Sequence, residues 1–166
     1  MTLRIEEVPV DDPRAVSLRS LLDAELQSRY GPLVAGEPAE ITAARDAALA
    51  VHPGDVVATL LALDDSDGGD GGEALGHVML RRLREEWELK RLIVPPEGRR
   101  RGIGRALTDA VLQRARAGGA RRVILQTGAP QPESVRLYAA AGFTPIPVYE
   151  PYVATMSESL CFERML

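Results

Sequence analysis

Three adjoining stretches constrain this chain more than any others. A strand-like run from Trp87 to Val94 is followed by the basic loop Arg99-Arg100-Arg101-Gly102-Ile103-Gly104-Arg105, and that loop opens a run from Ile103 to Ala117. The first run is short and suits a strand, whereas Ile103, Leu107, Ala110 and Val111 recur at helical spacing. A glycine-punctuated passage from strand into helix is the geometry in which backbone N–H groups and a helix N-terminus hold an anion such as phosphate. No Gly-Lys-Ser/Thr follows, which excludes a Walker loop. The strand comes mid-chain, after a meander, so it does not open a dinucleotide-binding βαβ unit. A tight turn with solvated arginines is the other reading of these residues.

The rest of the chain supplies a sheet for this unit to join. Leu3 to Val8 reads as a first strand. Asp12-Pro13 offers an N-cap and first helical residue for a helix whose Leu18, Leu21, Leu22 and Leu26 share a face, and Gly31-Pro32 ends it. A second helix is expected over Ala39 to Val51, then a turn at Pro53-Gly54. Val56 to Leu63, Leu75 to Leu83 and Trp87 to Val94 read as three strands, the last two joined by a turn at Arg84-Glu85-Glu86. Between the first two of these lies Asp64 to Glu73, with five acids and four glycines. Its acids miss EF-hand spacing, so a hairpin loop is expected rather than a calcium loop. Gly118-Gly119 stops the Ile103–Ala117 helix, and Val123 to Thr127 follows as a strand. A helix from Pro132 to Ala141 with Gly142 after it, and strands at Thr144–Val148 and Ser159–Met165, complete the order βαα–βββ–α–β–α–ββ. This is an α/β (α+β) mixed sheet with helices packed on it, expected as one domain over residues 1–166.

Composition narrows the function. The net charge of −4 gives no global pull toward nucleic acid, so any anion site is local. Lys90 is the only lysine among 20 basic residues. Arginine suits bidentate phosphate contacts, but the abundant Ala, Gly and Pro favour a base-composition origin. Cys161, the single cysteine, excludes an internal disulfide and reads as a packed thiol in Leu160-Cys161-Phe162. The start Met1-Thr2-Leu3-Arg4-Ile5 has no signal-peptide character and no run reaches membrane-spanning length, so a soluble cytoplasmic protein without a membrane partner is expected. His52 and His77 are isolated, expected in surface or packing roles, and no metal site is expected.

A second constellation, Gln131-Pro132-Glu133-Ser134-Val135-Arg136-Leu137-Tyr138-Ala139-Ala140-Ala141-Gly142-Phe143, follows the next strand. Together with the glycine loop it resembles the GCN5-related N-acetyltransferase family, whose members move an acetyl group from acetyl-CoA to an amine. Arg99, Gly102 and Gly104 match the family's Gln/Arg-x-x-Gly-x-Gly/Ala loop; Leu137, Tyr138, Gly142 and Phe143 match its later Leu-Tyr-x-x-x-Gly-Phe/Tyr motif. The strand Glu88 to Val94, followed by proline, is also typical, so the match covers residues 87–143. The resemblance implies a mostly antiparallel sheet of about seven strands flanked by about four helices, splayed between the fourth and fifth strands.

The resemblance also implies roles. The coenzyme pyrophosphate would sit on the amides of Arg101 to Arg105, with Gly102, Ile103 and Gly104 at the turn and no Cβ of either glycine in the way. Arg99, Arg100, Arg101 and Arg105 would add charge, and the pantetheine arm would pair with the strand edge at Leu92, Ile93 and Val94. An N–H near Val94 would meet the oxyanion. Histone-type members carry a base fourteen residues before the first loop glycine; that position is Glu88 here. A solvated glutamate or an arginine partner is the other reading of Glu88, and Glu86 and Glu85 are rival bases. Tyr138 matches the family's general acid, with a buried structural tyrosine as the alternative. Gln131 replaces the Asn common seven residues before that tyrosine, and Ser134 replaces a common Ala; both are expected near the pantetheine arm.

In this fold the acceptor site is built from the region after the first helix and the loop between the last two strands. Tyr30, Tyr149 and Tyr152 therefore either line an acceptor pocket or cover a core edge. Glu37, Glu40 and Glu150 would favour a cationic amine. The ending Pro145-Ile146-Pro147, Tyr152 and Ser159 to Glu163 resembles a bacterial small-molecule branch. The expected acceptor is a small-molecule amine, the other readings being a peptide acceptor or a non-catalytic acyl-CoA sensor; homodimers are common among similar proteins.

Overall fold

The computed structural model describes residues 1–66 and 71–166. Strand β1 (Leu3–Val8) leads into α1 (Pro13–Tyr30), which starts where the Asp12 carboxylate accepts the Arg14 amide at 2.9 Å and Pro13 fills the first turn. Helix α2 (Ala39–Leu49) stops two residues short of the expected Val51. Ala50 turns extended there, and its carbonyl accepts Arg81 Nη1 at 3.0 Å instead of continuing the helix. Strands β2 (Val56–Asp64) and β3 (Glu73–Leu83) form the expected hairpin, with Asp64 opposite Glu73. The tip of its acidic loop, 67–70, lies outside the described residues.

The turn into β4 (Glu86–Ile93) is tighter than expected, with Glu86 already in the strand and Arg84 left-handed at φ 55°. Then come α3 (Ile103–Ala117), β5 (Arg122–Thr127), α4 (Pro132–Ala140), β6 (Thr144–Ile146) and β7 (Leu160–Met165). Gly142, at φ 84°, turns the chain out of α4. Strand β6 stops at Ile146 rather than Val148, because Pro147 has no N–H for a ladder; β6 is also the sheet's edge, where Pro145 is tolerated.

The seven strands run β1-β2-β3-β4-β5-β7-β6, and every neighbouring pair is antiparallel except β4–β5. That parallel pair is bridged at Glu88↔Ile124 alone, so the two strands part beyond it. Helices cover both faces. On one, Leu60, Leu80, Leu89 and Val123 pack with Leu107 and Val111 of α3 and Tyr138 of α4. On the other, Leu61, Leu63 and Ile93 pack with Leu18 and Leu22 of α1. Strand β2 therefore feeds both cores from alternate residues, which explains an apolar run broken only by Thr59 before its final Asp64. Each such fully buried leucine contributes about 1.5–3 kcal/mol.

Strand β4 changes phase midway. Leu89 faces the α3 core, yet Ile93, four residues on, faces the α1 core, while Leu92 and Val94 side with α3. Period-two alternation forbids this without an extra residue. The register supplies it: His77 opposes Ile93 but Met79 opposes Lys90, and Arg91 sits left-handed at φ 60°. This bulge and the parting of β4 from β5 together shape the cleft described next.

Candidate active site

A cleft of about 520 Å³ opens where β4 leaves β5. Leu92, Ile93 and Val94 form one wall, and their backbone has no ladder partner on the β5 side. The loop residues Arg99, Arg100, Gly102, Ile103, Gly104 and Arg105 form the floor, and Gln131 and Ser134 at the start of α4 close the far side. Arg101 is not part of the lining; its guanidinium lies 3.9 Å from Asp64.

The loop's backbone forms a cradle of N–H groups of the kind suited to an anion. Arg100 and Gly102 are both left-handed, at φ 62° and 78°. Gly102 is the N-cap of α3 and lends no side-chain acceptor, so the amides of Ile103, Gly104 and Arg105 have no acceptor among the described residues. A Cβ on Gly102 would meet nothing within 4 Å, so backbone conformation requires that glycine. A Cβ on Gly104 would come within 3.1 Å of Leu137 Cδ2, so that glycine also lets α3 lie close to α4. The uncapped amides and the open edge fit a ligand with a phosphate at one end and an extended, amide-like arm.

The arginines divide by their partners. Arg99 donates Nε to Val94 O at 3.0 Å and binds Glu25 at 2.7 Å, and Arg105 binds Asp109 and Ala140 O, each at 3.0 Å. Arg100 and Arg136 pair with no carboxylate among the described residues, and both line the cleft. Arg136 was not singled out from the sequence; its signal is its place on the first turns of α4 beside Glu133 and Leu137, which also line the cleft. Glu25 and Arg29 of α1 line it as well, joined to each other at 2.7 Å, with Arg29 paired to Glu133 of α4.

Glu88 is wholly buried. One carboxylate oxygen accepts Arg81 Nε at 2.7 Å; the other accepts the hydroxyls of Tyr149 at 2.6 Å and Tyr152 at 2.9 Å. The arginine-partner reading is thus the observed one, and Glu88 has no open face to solvent. Lys90, next on the same face, donates to Tyr152 Oη at 2.9 Å, and burial pushes its ammonium down to about 8. Cys161 is buried nearby, and burial raises its thiol. Tyr152 is fully buried in this cluster, whereas Tyr149 is half-buried. Burial, then the Glu88 charge, raises both phenols far above their usual range. Tyr152 is therefore a core-edge tyrosine that anchors the β6–β7 loop.

Tyr30, at the end of α1, is drawn toward the start of α4. Its hydroxyl donates to Gln131 Oε1 at 2.9 Å and rests over Gly128. Tyr138 is buried in the α3 core, its ring edge-on to Phe143 at 5.7 Å, outside the cleft lining. Burial raises its phenol and so keeps it protonated at neutral pH. Of the rival bases, Glu86 is bound to Arg122 and Glu85 is exposed. Both line a hollow with Gly118 and Gly119, at the far end of α3 from the cradle, roughly 22 Å along the helix for its 15 residues. Glu37 is held by Arg45 at 2.6 Å, which removes it as a free charge for an acceptor amine. No cluster of metal-ligating side chains occurs among the described residues, and no helix there is long and apolar enough to cross a membrane.

His77 is the main residue that sequence reading did not resolve. It is fully buried on β3. Its Nδ1 lies 2.8 Å from Arg91 O and its Nε2 lies 3.1 Å from Arg19 Nη1. Arginine only donates, so Nε2 accepts and Nδ1 carries the hydrogen given to Arg91 O. Burial pushes this imidazole down to about 4. The unfolded chain therefore takes up a proton below about pH 6.5 that the folded chain refuses until about pH 4. Stability owed to this residue is present above pH 6.5 and lost as pH falls toward 4, by roughly 3 kcal/mol. Urea unfolding at pH 7 and pH 4.5 is expected to show a smaller acid loss in His77→Asn than in the parent.

Comparison with known proteins follows from this geometry. Residues 19–143 match the model of the Acetyltransferase (GNAT) family. The chain belongs to that family. Among its relatives, mouse N-acetyltransferase 8 is 40% identical over 79 residues, and mycothiol acetyltransferase of Beutenbergia cavernae is 42% identical over 65. These matches take in 44% and 39% of this chain, but only 35% and 22% of those relatives. The family fold extends further. The Klebsiella pneumoniae protein assigned as an acyl-CoA N-acyltransferase superposes with a TM-score of 0.75 at 22% identity, over 99% of this chain and 98% of its own. The N-acetyltransferase PaiA of Thermoplasma acidophilum, solved in complex with coenzyme A, does so with a TM-score of 0.64 at 16% identity, over 100% of both chains. In this member, the β4–β5 opening, the uncapped α3 start and the α4 start frame the cleft.

Proposed function

We propose that this chain transfers an acetyl group from acetyl-CoA to the primary amine of a small molecule. One observation carries the reading: an unladdered strand edge at Leu92–Val94 shares a cleft with the free amides of Ile103–Arg105. A pantetheine arm suits such an edge and a pyrophosphate suits such a helix start. Arg100 and Arg136 add positive charge, while Arg99 and Arg105 brace the loop through Val94 and Ala140. Gln131 and Ser134 offer polar contacts to the arm.

The acceptor must lose its extra proton before nitrogen can attack. Glu88 receives that proton through Tyr149: the phenol takes it from the ammonium while handing its own hydrogen to the carboxylate 2.6 Å away. Nitrogen bonds to the thioester carbonyl carbon, a backbone N–H near Val94 meets the oxyanion, and the carbon–sulfur bond breaks. The departing thiolate takes a proton from Tyr138, which holds the family motif's acid position next to the cleft-lining Leu137 although its ring packs in the α3 core. The small acceptor is favoured because Tyr149 and Tyr152 tie the β6–β7 loop to Glu88, which narrows the space beside the proposed base.

A panel of small amines and of peptides, read by thiol release with acetyl-CoA, tests this function. Turnover on a small amine supports it; turnover on peptides alone moves the acceptor assignment, and none on either leaves only binding. On a good acceptor, Tyr138→Phe is expected to lower kcat by at least about 100-fold with little change in melting temperature. An unchanged kcat would make Tyr138 a packing residue.

A further inference from the structure

The edge that faces the cleft is shaped by a bulge that β4 cannot hold by itself. Arg91 stands at φ 60°, a conformation unfavourable for any residue with a Cβ, and Arg91 is not stabilised there by a local side-chain turn. What meets its carbonyl is His77, from the middle of β3, at 2.8 Å. Arg19 of α1 in turn meets His77 Nε2 at 3.1 Å and reaches Val10 O at 2.5 Å. Arg91 itself is anchored to Asp23 of α1 at 2.6 Å. The consequence lies on the same strand: Ile93 is turned under α1, and Leu92 and Val94 toward α3.

We propose that His77 is a positioning residue for the coenzyme cleft: its Nδ1–H, given to Arg91 O, latches the β4 bulge that presents the Leu92–Val94 edge. The inference rests on the reading that this edge holds the pantetheine arm. Without the latch, Arg91 relaxes toward ordinary strand geometry, the alternation of β4 reverts, and the wall of the cleft rotates. Arg19 serves by fixing the tautomer, since its donation to Nε2 leaves the hydrogen on Nδ1.

The chemistry predicts an unusual ranking of variants. An Asn amide occupies the place of Nδ1 and can still donate to Arg91 O, whereas a Gln amide extends toward Nε2 and meets Arg19 instead. Acetyl-CoA affinity by calorimetry is expected to stay within about threefold of the parent in His77→Asn and to fall at least about tenfold in His77→Gln and His77→Leu. Arg91→Gly placed on His77→Leu restores most of the affinity, because glycine holds the left-handed conformation unaided. Hydrogen exchange of the Leu92–Val94 amides, read without ligand, follows the same order, faster in His77→Gln than in His77→Asn. Should His77→Leu not fold, the Asn–Gln comparison decides, both being polar and of similar bulk. Equal affinity and equal exchange in Asn and Gln variants would overturn the latch, as would failure of Arg91→Gly to rescue a folded His77→Leu. If the parent binds no acetyl-CoA, the proposed function falls while the exchange ranking still reads the latch.

Discussion

Glu88→Gln is expected to remove most turnover and to weaken the fold at the same time. The carboxylate sits in a cluster with no solvent, one oxygen on Arg81 and the other on two tyrosines. Neutralising it leaves the Arg81 guanidinium, itself only 4% exposed, as an uncompensated buried charge. Removing one partner of such a pair typically costs about 3–5 kcal/mol. Gln keeps an oxygen for Arg81, so a loss near the lower bound is expected in urea unfolding. The rate loss has a separate cause, the missing proton acceptor behind Tyr149, and is expected at about 10²–10⁴ in kcat. A second change separates the two: adding Arg81→Met removes the stranded cation and is expected to return stability without returning the rate. Recovery of both would make Glu88 a structural anchor only.

Gly104→Asp is expected to split binding from stability in the opposite direction. Residue 104 lies in the first turn of α3, where a carboxylate interacts favourably with the helix dipole by about 0.3–1 kcal/mol. The new Cβ would press on Leu137 Cδ2 at 3.1 Å, the end of a flexible side chain. The fold therefore tolerates the change. Under the proposed function, however, its charge would occupy the amides meant for the coenzyme's phosphates and repel those phosphates. Acetyl-CoA affinity is expected to fall by about 100-fold or more, ~2.7 kcal/mol, with a melting temperature near that of the parent. Gly104→Ala, which adds bulk without charge, serves as the control. Equal losses in both would point to α3–α4 packing rather than an anion site.

The elements were legible because their punctuation is local. Asp12-Pro13 caps α1, Gly102 and Gly142 take left-handed conformations at the ends they mark, and proline stops β6. The glycine loop was legible for the same reason, being seven consecutive residues with Gly102 left-handed at the start of α3. What escaped were contacts made across the sheet. The bulge falls on Arg91, a residue with no turn propensity, and its latch comes from His77 on another strand. Nothing in an isolated histidine announces a backbone carbonyl as its partner. Tyr30 and Gln131, 101 positions apart, are likewise joined only by the fold. The Arg81–Glu88 pair was within reach: a turn at residues 84 and 85 places 81 opposite 88, and a buried strand glutamate calls for a cation. Tyr149 and Tyr152 both reach back to Glu88 from the β6–β7 loop, and only the half-buried Tyr149 keeps the exposed surface that the proposed proton relay needs.

All of this rests on one cleft holding one ligand, and melting the protein with acetyl-CoA tests that most directly. A ligand at about 100 times its dissociation constant stabilises the native state by ~2.7 kcal/mol. For a chain of this size that raises the melting temperature by about 5–10 °C. The parent is expected to show that shift and Gly104→Asp to show no more than about 1 °C. A parent whose melting temperature does not move at saturating acetyl-CoA would contradict the assignment of this cleft to the coenzyme.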